Sequence, residues 1–170
     1  MSSDPSILKS TSGSWCLGQV ASMREITGNA FRWVNAGMTV RFLRGRKMET
    51  YEALFDECAA ALQFPWYFGE NGNAFDECMS DLSWLPPKAG YLFIVTDPGR
   101  VLQRIADDGL SWLVGSLGRA AAVWSRPVSE GQPWDRPAIP FHVLLQAEGR
   151  ADLAVERWRT STAEVTWIEE

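Results

Sequence analysis

The chain has 170 residues, 46% of them apolar and 22% charged, with a net charge of −5. That is the composition of one ordinary globular domain with decorated ends. It argues against a membrane helix, since no apolar run approaches the ~20 residues a span needs, and against a disulfide framework, since Cys16, Cys58 and Cys78 are an odd, sparse set without CxxC spacing.

The first fifteen residues, MSSDPSILKSTSGSW, have no basic start followed by an apolar stretch, so no secretory signal is expected. Three reduced thiols then fit a cytoplasmic protein. Residues 1–14 are polar, Ser-rich and expected to fray. Ser22-Met23-Arg24-Glu25 has capping-box spacing, which predicts a short helix stopped near Gly28. Residues 30–34 (AFRWV) read as a strand and 35–37 as a turn. A second strand is expected over 38–44 (MTVRFLR), then a turn at 45–47. Thr50 is a candidate N-cap for a helix carrying Leu54, Phe55, Cys58, Ala61 and Leu62 at helical spacing. Pro65 ends it. An aromatic loop, 64–69 (FPWYFG), leads to a helix over 73–82, stopped by Pro86-Pro87. Residues 91–96 (YLFIVT) form the continuous apolar run of a buried parallel strand. Helices are expected over 100–107 and 110–124, a Pro-rich loop over 126–137, a strand over 139–146, a short helix near 152–159 and a strand over 164–168.

Strands separated by helices imply crossover connections and a parallel sheet. The expected architecture is α/β: a two-layer, three-stranded parallel sheet with helices on one face. The expected division is a core over 38–148, an N-terminal extension over 1–37 packing on it, and a C-terminal extension over 149–170. A sheet with helices on one face leaves the other face apolar and exposed, so one of the extensions is expected to cover it.

Charge is distributed unevenly. Between Glu49 and Pro87 lie eight acidic residues and no Lys or Arg, while the first 48 residues carry +5. Such asymmetry points to a sign-selective partner. An acidic face repels phosphates, which argues against nucleic acid as a direct ligand and for a basic protein. The bland alternative is a solvated acidic surface.

The acidic window contains one patterned helix. Phe75, Cys78, Met79 and Leu82 fall at i, i+3, i+4 and i+7 and must face the core. Asn73, Asp76, Glu77, Ser80 and Asp81 form the opposite stripe. Its Glu77–Asp81 pair, like charges four residues apart, costs the helix a few tenths of a kcal/mol. Asp76 suits a first-turn macrodipole position; Asp81 does not. Asn71 or Asn73 is the expected N-cap. Trp66, Tyr67 and Phe68 sit just upstream, and aromatics beside charge are common ingredients of a binding hot spot. For Trp66 and Phe68 a core plug at the helix junction is an equal alternative; Tyr67, with its polar tip, is the better contact candidate.

The string Pro65-Trp66-Tyr67-Phe68-Gly69-Glu70-Asn71-Gly72-Asn73-Ala74-Phe75-Asp76-Glu77-Cys78-Met79, in its β-α-α-β context, resembles the barstar family of intracellular inhibitors of barnase-type ribonucleases. The resemblance extends over 38–148. It implies an inhibitor or immunity protein of a toxin–antitoxin kind, not an enzyme. An acidic helix and its loop would plug the nuclease's basic cleft, with Glu77 in place of a substrate phosphate. Tyr67, Phe68, Gly69, Asn71, Asn73, Asp76, Ser80 and Asp81 fall at or near the implied contact surface. Departures are Asn73 where the founding inhibitor has an aspartate, Gly72 for a leucine, Phe68 for a second tyrosine and Asp76 for a tryptophan. The implied partner is a basic ribonuclease or toxin nuclease, without nucleic acid or membrane. The alternative is a barstar-fold interaction or immunity module for a non-ribonuclease partner.

Other chemistry is thinly supported. No cofactor and no metal is expected: the chain has no DxDxDG loop, HExxH, GxSxG or Gly-rich phosphate loop. Glu70 and Glu77, if both helical, lie roughly 10 Å apart along the axis, at or beyond the reach of an inverting glycosidase pair. The single histidine, His142, sits mid-strand, where a core or rim position is the plainer reading. The basic residues Arg41, Arg44, Arg46 and Lys47 are expected at a strand end, balancing the acidic helices.

Overall fold

A computed structural model describes residues 6–106 and 108–169. The elements run β1 (Cys16–Val20), α1 (Met23–Asn35), β2 (Thr39–Arg44), α2 (Tyr51–Leu62), α3 (Gly72–Asp81), β3 (Tyr91–Thr96), α4 (Asp108–Trp124), β4 (Phe141–Ala147), α5 (Leu153–Thr160) and β5 (Val165–Trp167). The strands form one sheet in the order β2-β3-β4-β1-β5, every adjacent pair parallel.

The α/β class and parallel sheet match the expectation, but the sheet has five strands rather than three. β1, from residues not read as a strand, pairs Leu17 with Leu144 and inserts beside β4. β5 adds at its outer side, pairing Gly18 with Trp167. The contact is close: a Cβ on Gly18 would stand 2.9 Å from the Trp167 ring, so β5 packs here because position 18 lacks a side chain.

Helices also cover both faces, not one. Strand alternation sends Tyr91, Phe93 and Val95 to one side, where they meet Leu54, Phe55, Phe75, Met79, Leu113, Leu117 and Trp158 of α2 to α5. Leu92 and Ile94 point the other way, into a second cluster with Leu17, Leu144 and the Ile26, Ala30 and Trp33 of α1. Leu8, in a 3-10 turn at Ser6–Lys9, closes that cluster. Residues 1–5 of the segment expected to fray lie outside the described residues.

α1 corrects two expectations. Ser22 does form the capping box with Glu25, but the helix runs through Gly28 to Asn35. The supposed strand 30–34 is its second half: Ile26, Ala30 and Trp33 make the buried stripe while Phe31 and Val34 face solvent. The expected helix over 100–107 is instead a 3-10 turn at Pro98–Arg100 followed by turns; position 107 lies outside the described residues. Leu102 takes a left-handed φ of 50° and donates its N–H to Met48 O, which a continuous helix would forbid.

Where β2 ends, Gly45 is indispensable, because a Cβ there would lie 2.1 Å from Asp97 O. Beyond it Thr50 caps α2 by accepting from Ala53 N–H. The chain turns at Gln63, which is left-handed, and enters the aromatic loop before α3.

Candidate partner-binding site

The loop and α3 are held by local chemistry. Asn71 is the N-cap: its Oδ1 accepts from Ala74 N–H at 3.0 Å, and its Nδ2 donates to Gly69 O at 3.0 Å. The helix therefore starts at Gly72, one residue before the expected 73, and Asn73 lies exposed in its first turn. Glu70 is left-handed at φ 50°, which turns the chain into the helix. Phe75, Cys78, Met79 and Leu82 are buried as their spacing requires.

The three aromatics separate by role. Phe68 is half-buried, edge-on to Phe64 at 4.9 Å and to Phe55 at 5.8 Å, so it is the plug at the helix junction. Trp66 is 96% exposed and Tyr67 63% exposed; they pack edge-to-face on each other at 5.9 Å. Trp66 was legible only as an even choice between plug and contact, and the structure removes the plug.

Beside them is a groove of about 250 Å³, lined by Tyr67, Phe68, Ala74, Glu77, Cys78, Asp81 and Trp84. Trp84 forms its far wall, fixed by Nε1 donating to Leu62 O at 3.0 Å. Of the sequence-predicted residues, the groove brings together Tyr67, Phe68, Glu77 and Asp81. Gly69, Asn71 and Asn73 lie exposed at the helix entrance, outside the groove's lining. Asp76 and Ser80 are half-buried. Asp76 is turned to α4, where Arg119 reaches its Oδ2 at 2.8 Å and also donates to Ser116 Oγ. Ala74, Cys78 and Trp84 line the groove but were not among the expected contact residues; for Ala74 and Cys78 the signal was available, since Ala74 lies three residues before Glu77 and Cys78 three before Asp81 on the same helix.

Ion pairing sorts the eight acids of the window. Arg100 and Arg104 both reach Glu49. Arg44 clasps Glu57 through its side chain and its backbone N–H. Arg119 holds Asp76. Among the described residues Glu52, Asp56, Glu70, Glu77 and Asp81 have no ion-pair partner, so unbalanced negative charge gathers on α2's outer side, the loop and α3. The basic run after β2 is absorbed similarly: Arg44 by Glu57, and Arg46 by Asp97 at 3.7 Å.

Nothing in the groove has the character of a nucleophile. Burial raises the Cys78 thiol, and the charges of Asp81 and Glu77 raise it further. Burial pushes Cys16 and Cys58 to about 12. His142 lies 2% exposed on β4, its pKa lowered by burial against the pull of the backbone at Ser10, Ser14 and Ile7. Among the described residues no group of three or more His, Cys, Asp or Glu is placed to hold a metal ion. Among the described residues no helix is long and apolar enough to cross a membrane.

A family model described as Barstar (barnase inhibitor) matches residues 38–146, from the start of β2 to the end of β4. The chain belongs to the barstar family. The match contains the loop, α3 and the groove, and the family is one of inhibitors that bind a ribonuclease. No curated protein matches. Among solved structures, a chain of Drosophila ORC bound to DNA superposes with a TM-score of 0.53 at 15% identity, covering 97% of this chain and 83% of that one. A chain of Drosophila ORC bound to AT-rich DNA and Cdc6 gives 0.51 at 16% identity, covering 97% of this barstar-family chain. This chain spans only half of that second one. At such identity the likeness is one of fold.

Proposed function

We propose that this barstar-family protein is an inhibitor of a basic ribonuclease or related toxin nuclease, with the groove between the aromatic loop and α3 as its contact surface. The observation that carries this is one groove inside the family-matched segment, lined by the exposed Tyr67, against which the exposed Trp66 packs, and by the carboxylates Glu77 and Asp81, which have no ion-pair partner among the described residues. A nuclease cleft is built to hold phosphates, so it offers Lys and Arg to such a surface. Glu77 is the carboxylate best placed to substitute for a phosphate, because it is exposed, lines the groove and has no ion-pair partner among the described residues. Its neighbour Asp76 is neutralised by Arg119. Tyr67 and Trp66 supply rigid apolar area next to that charge, in the manner of binding anchors.

The same surface opposes nucleic acid as a direct ligand, because it would bring phosphates against unpaired carboxylates. The DNA in the names of the ORC structures therefore lends this chain no role in DNA binding. Association kinetics with a barnase-type ribonuclease, measured at about 0.05 M and 0.5 M salt, test the reading. The expected result is an association rate that falls steeply with salt. Absence of binding, or a rate indifferent to salt, contradicts it.

A further inference from the structure

The two outer edges of the sheet are built differently, and the difference points to self-association. In a parallel strand, alternate residues direct both N–H and C=O to the same side. On β2, Thr39 N–H donates inward to Gly90 O, so Val40, Phe42 and Arg44 direct their peptide groups outward. Two of these outward groups are answered by side chains. The Arg41 guanidinium donates to Val40 O at 2.9 Å, and Arg44 N–H donates to Glu57 Oε1 at 3.0 Å. Such capping blunts an edge against further pairing.

β5 has no such protection. Ile168 N–H donates inward to Gly18 O at 2.9 Å, which places Thr166 and Ile168 on the β1 side and turns the peptide groups of Val165 and Trp167 outward. Among the described residues neither outward pair has a hydrogen-bond partner. Nor is the edge walled in on its helical side. A solvent-open groove of about 610 Å³ runs along it, lined by Glu156, Arg159, Thr160 and Thr162 of the α5 end together with Val165 and Thr166. The strand is packed against the sheet: Trp167 lies on Gly18, and Arg150, paired with Glu169 at 2.5 Å, stands over the Trp167 ring at 6.0 Å.

We propose that β5 pairs antiparallel with β5 of a second copy of this chain, about a two-fold axis through Thr166, joining two five-stranded sheets into one of ten strands. The register is self-complementary. With Thr166 opposite its own copy, Val165 faces the copy's Trp167 and exchanges both N–H···O=C bonds with it, and the symmetric pair does the same, giving four bonds across the axis. Shifting the register by one residue would bring inward-directed groups to the interface and lose those bonds. The flanking residues tolerate this register: Glu164 comes opposite Ile168 and Glu169 opposite Ala163, so no like charges face each other. The partner is a second copy rather than an unrelated peptide because this surface meets its own requirements without any added chemistry. Three residues per strand make a reversible dimer, not an obligate one.

The surface is separate from the nuclease-binding groove, and its test involves no nuclease. Sedimentation equilibrium of the whole protein over roughly 10 μM to 1 mM is expected to show a reversible monomer–dimer equilibrium. Val165→Pro removes an outward N–H while leaving the β1–β5 ladder intact, deletes two of the four bonds, and is expected to weaken the dimer at least about tenfold with an unchanged circular dichroism spectrum. Thr166→Cys provides a readout that survives if the proline variant fails to fold. Residue 166 meets itself in a non-hydrogen-bonded pair, where Cα atoms approach within disulfide range, so mild oxidation should give a disulfide-linked dimer through that position. The native cysteines are buried and do not compete. A wild-type chain that stays monomeric throughout the range overturns the proposal. So does a dimer untouched by Val165→Pro, or a Thr166→Cys variant that oxidises no faster than a cysteine placed on the outer face of α1.

Discussion

Glu77 and Asp76 are adjacent carboxylates with opposite fates. Glu77 is exposed on the groove with no ion-pair partner among the described residues, whereas Asp76 is half-buried and held by Arg119 at 2.8 Å. Glu77→Ala should therefore weaken nuclease binding by at least ~2 kcal/mol, the scale of a hot-spot residue. Asp76→Ala should cost under about 1 kcal/mol of binding, since its charge is already spent within the molecule. Equal losses in calorimetric titrations of the two variants would reverse this assignment. A third carboxylate, Glu57, carries a pH dependence. Burial raises its carboxyl, but the guanidinium and N–H of Arg44 outweigh burial and hold it below the usual glutamate value. A group depressed in the folded state contributes stability above its unfolded pKa and loses it as pH falls through the folded one. Folding stability should thus decline below about pH 4.5, and Glu57→Gln should flatten that part of the profile. A variant whose acid limb in urea-unfolding curves matched the wild type would show that other groups govern it.

At the scale of elements, what was legible followed from periodicity. The buried stripe of α3 and the apolar run of β3 announce themselves because each element meets one kind of surroundings along its whole length. α1 misled for the converse reason. Phe31 and Val34, large and β-forming, face water, Phe31 at 69% exposure, and together with Trp33 they imitate a strand. Gly28 looked like a stop because glycine commonly ends helices, yet here it lies mid-helix with nothing within 4 Å of the place a Cβ would take. Gly28→Ala should accordingly raise stability by about 0.5–1 kcal/mol, from helix propensity and a less flexible unfolded chain. Thermal unfolding checks this, and a lowered Tm would mean that a side chain at 28 meets something. β1 was unreadable for a different reason: CLGQV is five residues with Gly and Gln inside, and its partner β4 lies more than a hundred residues away. Its strand character comes from the sheet it joins, not from its own residues. The turn after Arg100 was likewise set by a distant group, Met48 O.

The whole molecule combines a family-matched segment, 38–146, with two strands, β1 and β5, and two helices, α1 and α5, from outside it. The charge imbalance visible in the sequence survives folding only in part. Arginines remote in sequence, Arg44, Arg100, Arg104 and Arg119, neutralise Glu49, Glu57 and Asp76. No run of residues could foretell which acids those would be, since the pairing is decided by how α2 packs beside β2, by how α4 packs on α3 and by where the turn after β3 passes. The result is a smaller and sharper acidic surface than composition implied, centred on the loop and α3. Tested most directly, this account comes down to a titration of RNA cleavage by a barnase-type ribonuclease with the purified protein, at low and moderate salt, alongside Glu77→Ala. It predicts stoichiometric inhibition that weakens as salt rises and is largely lost in the variant. Undiminished cleavage at a molar excess of protein, or inhibition that Glu77→Ala leaves intact, would contradict it.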